Sequence, residues 1–107
     1  MLMRVGEFAR TADSVAHDML RNHLTELLPP SARIVAHGWR PWASASFVGA
    51  RHWFDVRPGS DADAVATAVL LEQREWTLQG SFVADAAVRP DDGQPGDWRI
   101  ELLTVED

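Results

Sequence analysis

The sequence predicts an α+β domain in which two helices cover one face of a four-stranded, mainly antiparallel sheet. Three observations support this prediction. The chain has 107 residues, of which 46% are hydrophobic, and this suits one domain, residues 1–107, with one core. Apolar residues recur with helical spacing in two segments and alternate in four others, in the order α-β-β-α-β-β. The strands of the two helix–strand–strand units then form a single sheet.

The first helix is predicted from Glu7 to Leu28. Its apolar residues follow the i, i+3, i+4 spacing of one buried face. They are Phe8, Ala12, Val15, Ala16, Met19, Leu20, Leu24, Leu27 and Leu28. The pair Pro29-Pro30 ends the helix, because a residue before proline avoids the α region.

The next two segments are predicted to form a hairpin. The first strand covers 33–43, where Gly38 and Pro41 indicate a bulge or an edge position. The second covers 46–56 and alternates, so that Val48, Phe54 and Val56 face the helices while Phe47, Arg51, Trp53 and Asp55 face away. Their short link, 43–45, favours a direct turn.

The second helix is predicted to begin at Ser60, a good N-cap, with Asp63 three residues on, and to run to about Glu75. We expect its buried stripe to be Ala62, Val65, Ala66, Val69 and Leu70. Other sides of this helix are also apolar, which is typical of a helix covered on more than one side.

The last two strands are predicted at 77–89 and 98–105, joined by an acidic Gly- and Pro-rich loop. Alternation assigns Leu78, Phe82, Ala84, Val88, Ile100 and Leu102 to the helix-facing side. It assigns Val83, Asp85, Arg89, Arg99, Glu101, Leu103 and Val105 to the opposite side. Moving one strand to the front of the element order gives β-α-β-β-α-β, so the arrangement resembles a ferredoxin-like fold with a circularly permuted element order. A fold alone assigns no function.

Composition excludes several classes of chemistry. The chain has no Cys and no Tyr, and all ten basic residues are Arg, so thiolate, phenol and Schiff-base chemistry are absent. The histidine spacing matches no metal motif, and we expect neither a metal nor a cofactor. No apolar run is long enough to cross a membrane, and the first residues lack a signal-peptide core, so we expect a cytoplasmic protein.

The net charge of −6 is unevenly distributed. Residues 1–60 carry seven Arg and five acids (7 − 5 = +2), and residues 61–107 carry three Arg and eleven acids (3 − 11 = −8). So acidic a chain is a poor nucleic-acid binder, because neutralising phosphates supplies much of that affinity. The two halves either neutralise each other, within the fold or between subunits, or present a solvated surface.

Functional residues are expected on the sheet face away from the helices. Aromatic and cationic residues are dense there, and these residue types are common in interfaces and bind anions. The predicted binding or interface residues are Trp39, Arg40, Trp42, Phe47, Arg51 and Trp53. The partner would be a second copy in a homodimer, an acidic protein or a small anion; alternatively, the Trp residues cover the edges of the core.

A second group of polar residues, His37, Asp55 and Asp85, suggests a small-ligand or enzymatic site on the same face. No catalytic residue is assigned, and His23 and His52 are expected to be hydrogen-bonded packing residues. The sequence therefore predicts a small binding or assembly module that self-associates through an open sheet face. The alternative is a small-ligand or enzymatic domain using that face.

Overall fold

The computed structural model describes residues 13–59 and 62–107. Its helices are α1 (Val15–Leu27) and α2 (Ala62–Gln73), and its strands are β1 (Arg33–Ala43), β2 (Val48–Arg57), β3 (Ser81–Pro90) and β4 (Trp98–Glu106). The strands form one open sheet in the order β1-β2-β4-β3, and every neighbouring pair is antiparallel. The predicted α+β class and element order are confirmed.

Both helices pack on the same face of this sheet. Leu20 and Leu24 of α1 and Leu71 of α2 belong to one buried cluster with Phe54 of β2 and Ile100 of β4. All four of the α1 and strand residues are fully buried. We call this side of the sheet the inner face and the opposite side the outer face.

The first helix buries Ala16, Leu20 and Leu24 of its predicted apolar stripe, whereas Val15 is exposed. Its end is also as predicted: Leu28, the residue before Pro29, has an extended ψ of 144° and donates its N–H to the Leu24 carbonyl at 2.9 Å. The predicted segment 7–12 lies outside the described residues.

A bulge in β3 changes which side chains point inward. The pairing of β3 with β4 shifts between Val83 and Asp85, so Ala84 is the extra residue. Phe82 pairs with Val105 on the outer face, whereas Val83 packs against the core. The prediction that Phe82 faces the helices and Val83 faces away was wrong, because one extra residue reverses the alternation.

The buried face of α2 also differs from the prediction. Val65 is 68% exposed, and Val69 and Leu70 are exposed as well. Thr67 and Leu71 are the buried positions instead. A helix that is apolar on most sides has no periodicity that selects one face, so packing against the sheet decided it. The predicted N-cap, Ser60, lies outside the described residues.

Two glycines mark the starts of the last two strands. Gly80 has a φ of +73° immediately before β3, and Gly96 has a φ of +88° in the loop before β4. The strand predicted at 77–89 therefore begins only at Ser81, while Trp76 and Leu78 still pack against the core. None of the described helices is long and apolar enough to cross a membrane.

Candidate functional site: the outer face of the sheet

The antiparallel pairing of the four strands arranges the side chains of the outer face as a grid, in which the β3 bulge at Ala84 separates the first and second rungs. We define a rung as four residues that lie opposite one another across β1, β2, β4 and β3. The first rung is Trp42, Gly49, Val105 and Phe82; the second is Arg40, Arg51, Leu103 and Asp85; the third is Gly38, Trp53, Glu101 and Ala87; the fourth is Ala36, Asp55, Arg99 and Arg89. Neither of the two described helices covers this face, and in that sense we call it open.

Glycines allow the two outer-face indoles to lie against the sheet. Trp42 donates its indole N–H to the Thr104 carbonyl at 3.2 Å, reaching β4 across Gly49 of β2. Trp53 lies over Gly38, where an added Cβ would meet the indole Cε2 atom at 2.9 Å. A larger residue at either glycine would displace the neighbouring group.

Ion pairs satisfy most charges of the fourth rung. Arg99 donates from Nε and Nη2 to the two carboxylate oxygens of Asp55, at 2.7 and 3.1 Å. Arg89 donates to Glu101 at 2.6 Å and to Asp92 at 3.3 Å. Hydrogen bonds to these carboxylates raise the pKa of Arg99 and of Arg89. This end of the face is electrostatically complete without a partner.

The second rung is not complete in this way. Arg40 and Arg51 lie directly opposite each other on β1 and β2, and like charges in this position destabilise a sheet. Within residues 13–59 and 62–107, neither guanidinium takes part in an ion pair. Arg40 instead lies 5.9 Å from the centre of the Trp53 ring. A groove of about 220 Å³ runs along these side chains and reaches Asp85.

The structure brings four of the six predicted interface residues together on the outer face: Arg40, Trp42, Arg51 and Trp53. Trp39 lies on the inner side, opposite His52, and Phe47 lies in the β1–β2 loop, where it is 56% exposed. Asp55 and Asp85 both lie on the outer face, but His37 faces α1. The structure therefore separates His37 from the two carboxylates with which it was grouped.

Asp55 and Asp85 themselves have different environments. Asp55 is occupied by Arg99, as described above. Asp85 is exposed, and its carboxylate accepts a hydrogen bond at 3.0 Å from the N–H of the following residue, Ala86. Asp85 has no ion-pair partner among the described residues, so its charge is available on the open face.

A chain of three histidines lies on the inner face. His17 of α1 contacts His52 through the two Nδ1 atoms and His37 through its Nε2 atom, each at 2.9 Å. His52 Nε2 reaches the Thr104 hydroxyl at 2.9 Å, and that hydroxyl donates to the Ala50 carbonyl at 3.4 Å. His17 and His52 are 4% and 1% exposed, whereas His37 reaches solvent.

This chain is satisfied when its histidines are neutral. Since Thr104 donates to Ala50, we assign the Nε2–H of His52 as the donor to Thr104. His52 Nδ1 then accepts from the Nδ1–H of His17, and His17 Nε2 accepts from the Nδ1–H of His37, so His17 and His52 each donate once and accept once. A further proton on either buried ring would place two N–H groups against each other.

The pKa values agree with this geometry. Burial is the main cause that lowers the pKa of His17 and of His52 to about 4, from an ordinary value of 6.5. Nearby charge adds to the effect: His37 lowers the pKa of His17, and His17 lowers that of His52. For His17, Arg21 also lowers the pKa and Asp18 raises it.

The histidine chain is a structural link between α1 and the sheet. In the part of the chain that the structure describes, no group of three His, Cys, Asp or Glu side chains is arranged to hold a metal ion. His17 was not predicted to be buried, although its spacing from Leu20 and Leu24, at i+3 and i+7, places it on the buried stripe. His52 is a hydrogen-bonded packing residue, and so is His23, which contacts Arg74 at 2.7 Å.

No protein-family model matches this chain, and no curated protein or solved structure matches it significantly. The ferredoxin-like description therefore rests on element order and not on a related structure.

Proposed function

We propose that this protein is a small binding or assembly module that self-associates as a homodimer through the outer face of its sheet. The observation that supports this most directly is the second rung. Two arginines that have no ion-pair partner among the residues that the structure describes, Arg40 and Arg51, lie on this face beside a large aromatic side chain, Trp53. An intramolecular role would not require these charges to oppose each other.

The residue types of the face also favour an interface over a solvated sheet. Trp and Arg are enriched at the centres of protein interfaces. The outer face carries two Trp, and it also carries Phe82, which is 46% exposed, together with the half-buried side chain of Leu103. Covering these groups would remove apolar surface from water.

The size of the face suits a modest dimer. Four strands at about 4.8 Å spacing and four rungs at about 6.8 Å spacing cover roughly 500 Å² in each copy. Two copies would bury about 1,000 Å², near the lower limit of specific interfaces. We therefore expect a dimer that dissociates on dilution.

A small anionic ligand is the second candidate, and the groove beside Arg40 and Arg51 favours it. Its volume of about 220 Å³ is smaller than that of most ligand pockets. A thermal-shift screen with carboxylates and inorganic phosphate tests this alternative: stabilisation by an anion that Arg51→Ala abolishes would support it.

The primary test is the solution mass, measured by light scattering over a range of protein concentrations and at low and high salt. We expect the mass of the native chain to rise toward twice 11.9 kDa. The variants Trp53→Glu and Phe82→Glu should remain monomeric while keeping the far-UV spectrum. Two separate variants of the same face are used because a local folding defect in one variant would not explain a monomeric state in both.

The control for this test is Val65→Glu, which places the same charge on the exposed apolar side of α2. This variant should dimerise like the native chain. A native chain that stays monomeric at all concentrations would refute the proposal. So would a dimer that Val65→Glu disrupts and the two outer-face variants leave intact.

A further inference from the structure

We infer that two copies pack outer face against outer face about a two-fold axis that runs parallel to the strands, between β2 and β4. This inference rests on the proposed self-association and adds the orientation of the two copies and the residues that meet. It follows from the arrangement of the four rungs, which is complementary to itself under this one rotation.

The rotation determines which strands face each other. A half-turn about an axis parallel to the strands exchanges the left and right sides of the sheet but keeps each residue at its height along the strands. Strand β1 of one copy then lies over β3 of the second copy, and β2 lies over β4. Each rung therefore meets the same rung in reverse order, as an isologous interface requires.

The first rung then forms an aromatic contact. Trp42 of one copy lies opposite Phe82 of the second copy, and the Trp42 indole covers Gly49 within its own chain. The symmetry repeats this contact on the other side of the axis. This end of the interface would bury the most exposed large apolar side chain of the face, Phe82.

In this dimer, charges of the second rung gain partners of opposite charge. Arg40 of one copy faces Asp85 of the second copy, twice in the dimer. These are an arginine and a carboxylate that have no ion-pair partner within the described parts of one chain. Arg51 faces Leu103, so its aliphatic stem covers an apolar residue.

The other two rungs are compatible with the same orientation. In the third, the two small residues Gly38 and Ala87 face each other, and Trp53 faces Glu101. In the fourth, Asp55 faces Arg99 of the second copy. Across these two rungs no pair of like charges is brought together.

The other two-fold axis that stacks the two faces lies in the sheet plane and crosses the strands. If it passes through the second rung, Arg40 and Arg51 each face the same arginine of the second copy, and these like charges repel each other. If it passes between the second and third rungs, Arg40 faces Gly38 and Asp85 faces Ala87, and no pair of opposite charges forms. If it passes through the third rung, Arg51 and Asp85 face Asp55 and Arg89, which already form ion pairs within their own chain. Arg40 then faces Ala36 and stays unpaired, and Glu101 faces Glu101. Charge complementarity therefore selects the axis parallel to the strands.

Sheet twist does not remove these contacts. Packed sheets cross at about 30°, which displaces groups about 10 Å from the axis by about 5 Å. Arginine and tryptophan side chains span that displacement. The edge contacts of Arg40 and Trp42 are made by such long side chains.

Charge reversal in two separate variants tests this orientation. Arg40→Asp alone places Asp opposite Asp85 in the homodimer, and Asp85→Arg alone places Arg opposite Arg40. Each variant should dimerise at least tenfold more weakly than the native chain. A mixture of the two should form a heterodimer with near-native affinity, because both of its charge pairs are then attractive.

The experiment measures the dissociation constants of both single variants, of their equimolar mixture and of the double variant by sedimentation equilibrium. Recovery in the mixture requires a contact between copies, since an effect within one chain would persist after mixing. Arg21→Asp, the same charge change on an exposed position of α1, is the control and should leave the constant unchanged.

The outcomes separate this inference from the proposed function. A native dimer that Trp53→Glu disrupts, together with a mixture as weak as its components, would overturn the orientation and leave the self-association standing. Single variants with native dissociation constants would overturn the orientation as well. A native chain that is monomeric throughout would overturn both.

Discussion

The histidine chain on the inner face predicts that the fold loses stability as the pH falls from 7 to 5. The folded-state pKa of His17 and of His52 is lowered to about 4, from 6.5 in the unfolded chain. The unfolded state therefore binds more protons between these values, and protonation favours unfolding. The stabilising contribution is complete above about pH 6.5 and disappears as the pH approaches 4.

The magnitude follows from the pKa difference. A pH of 5 lies about 1.5 units below the pKa of an imidazole in the unfolded chain. At about 1.36 kcal/mol per unit, protonation of the unfolded chain then costs the fold about 2 kcal/mol per ring. We therefore expect about 1–2 kcal/mol for each of the two buried rings, His17 and His52. Together the two rings should lower the free energy of unfolding by about 2–4 kcal/mol.

The assay is urea unfolding followed by far-UV circular dichroism at pH 7 and at pH 5. We expect the midpoint to fall by about 1–2 M urea between these two conditions. The control is the double variant His17→Leu, His52→Leu, which removes both titrating rings and leaves the Thr104 hydroxyl its bond to Ala50.

In the control, the midpoint should change much less over the same pH interval, because the two rings whose pKa is lowered by folding have been removed. If the native chain and the double variant lost equal stability between pH 7 and 5, the reasoning about the neutral chain would be wrong. A native chain more stable at pH 5 would contradict the sign of the effect.

Two further predictions test the packing that differs from sequence expectation. Leu71→Ala should lower the free energy of unfolding by about 2–5 kcal/mol, whereas Val69→Ser should change it by less than about 0.5 kcal/mol. Urea unfolding measures both changes, and equal effects would mean that α2 turns a different side toward the sheet. Gly49→Ala should lower the free energy of unfolding by about 1–3 kcal/mol, because the added Cβ would overlap the Thr104 carbonyl. Gly93→Ala should lower it less, because the nearest atom to the added Cβ is 3.7 Å away. Thermal unfolding compares the two variants, and equal melting temperatures would count against the close strand contact at Gly49.

The sequence by itself determined the elements and their order. The helical stripe of α1 and the alternation of β2 each have one dominant period, so burial could be assigned without knowledge of neighbours. The prolines after Leu28 determined where α1 ends, because their effect on the backbone is local. Alternation likewise assigned Arg51 and Trp53 to the outer side of β2, whereas the register of β1, and with it the side that Arg40 and Trp42 occupy, was left open by the sequence.

The tertiary structure decided the features that depend on one extra residue or on distant partners. The bulge at Ala84 moved Phe82 to the outer face, and no local signal distinguishes a bulged strand from a regular one when both faces are partly apolar. The face that α2 buries was equally undetermined, because small apolar residues surround most of it.

The histidine chain and the outer-face rungs required the fold for a different reason. His17, His52 and Thr104 are separated by 35 and 52 positions, and only the packing of α1 on the sheet brings their polar atoms within 2.9 Å. Likewise, Arg40 and Asp85 share a rung because β4 lies between β2 and β3. Periodicity reports which side of its own element a residue occupies, whereas contacts between elements depend on strand order and register, which form only when the whole core is assembled.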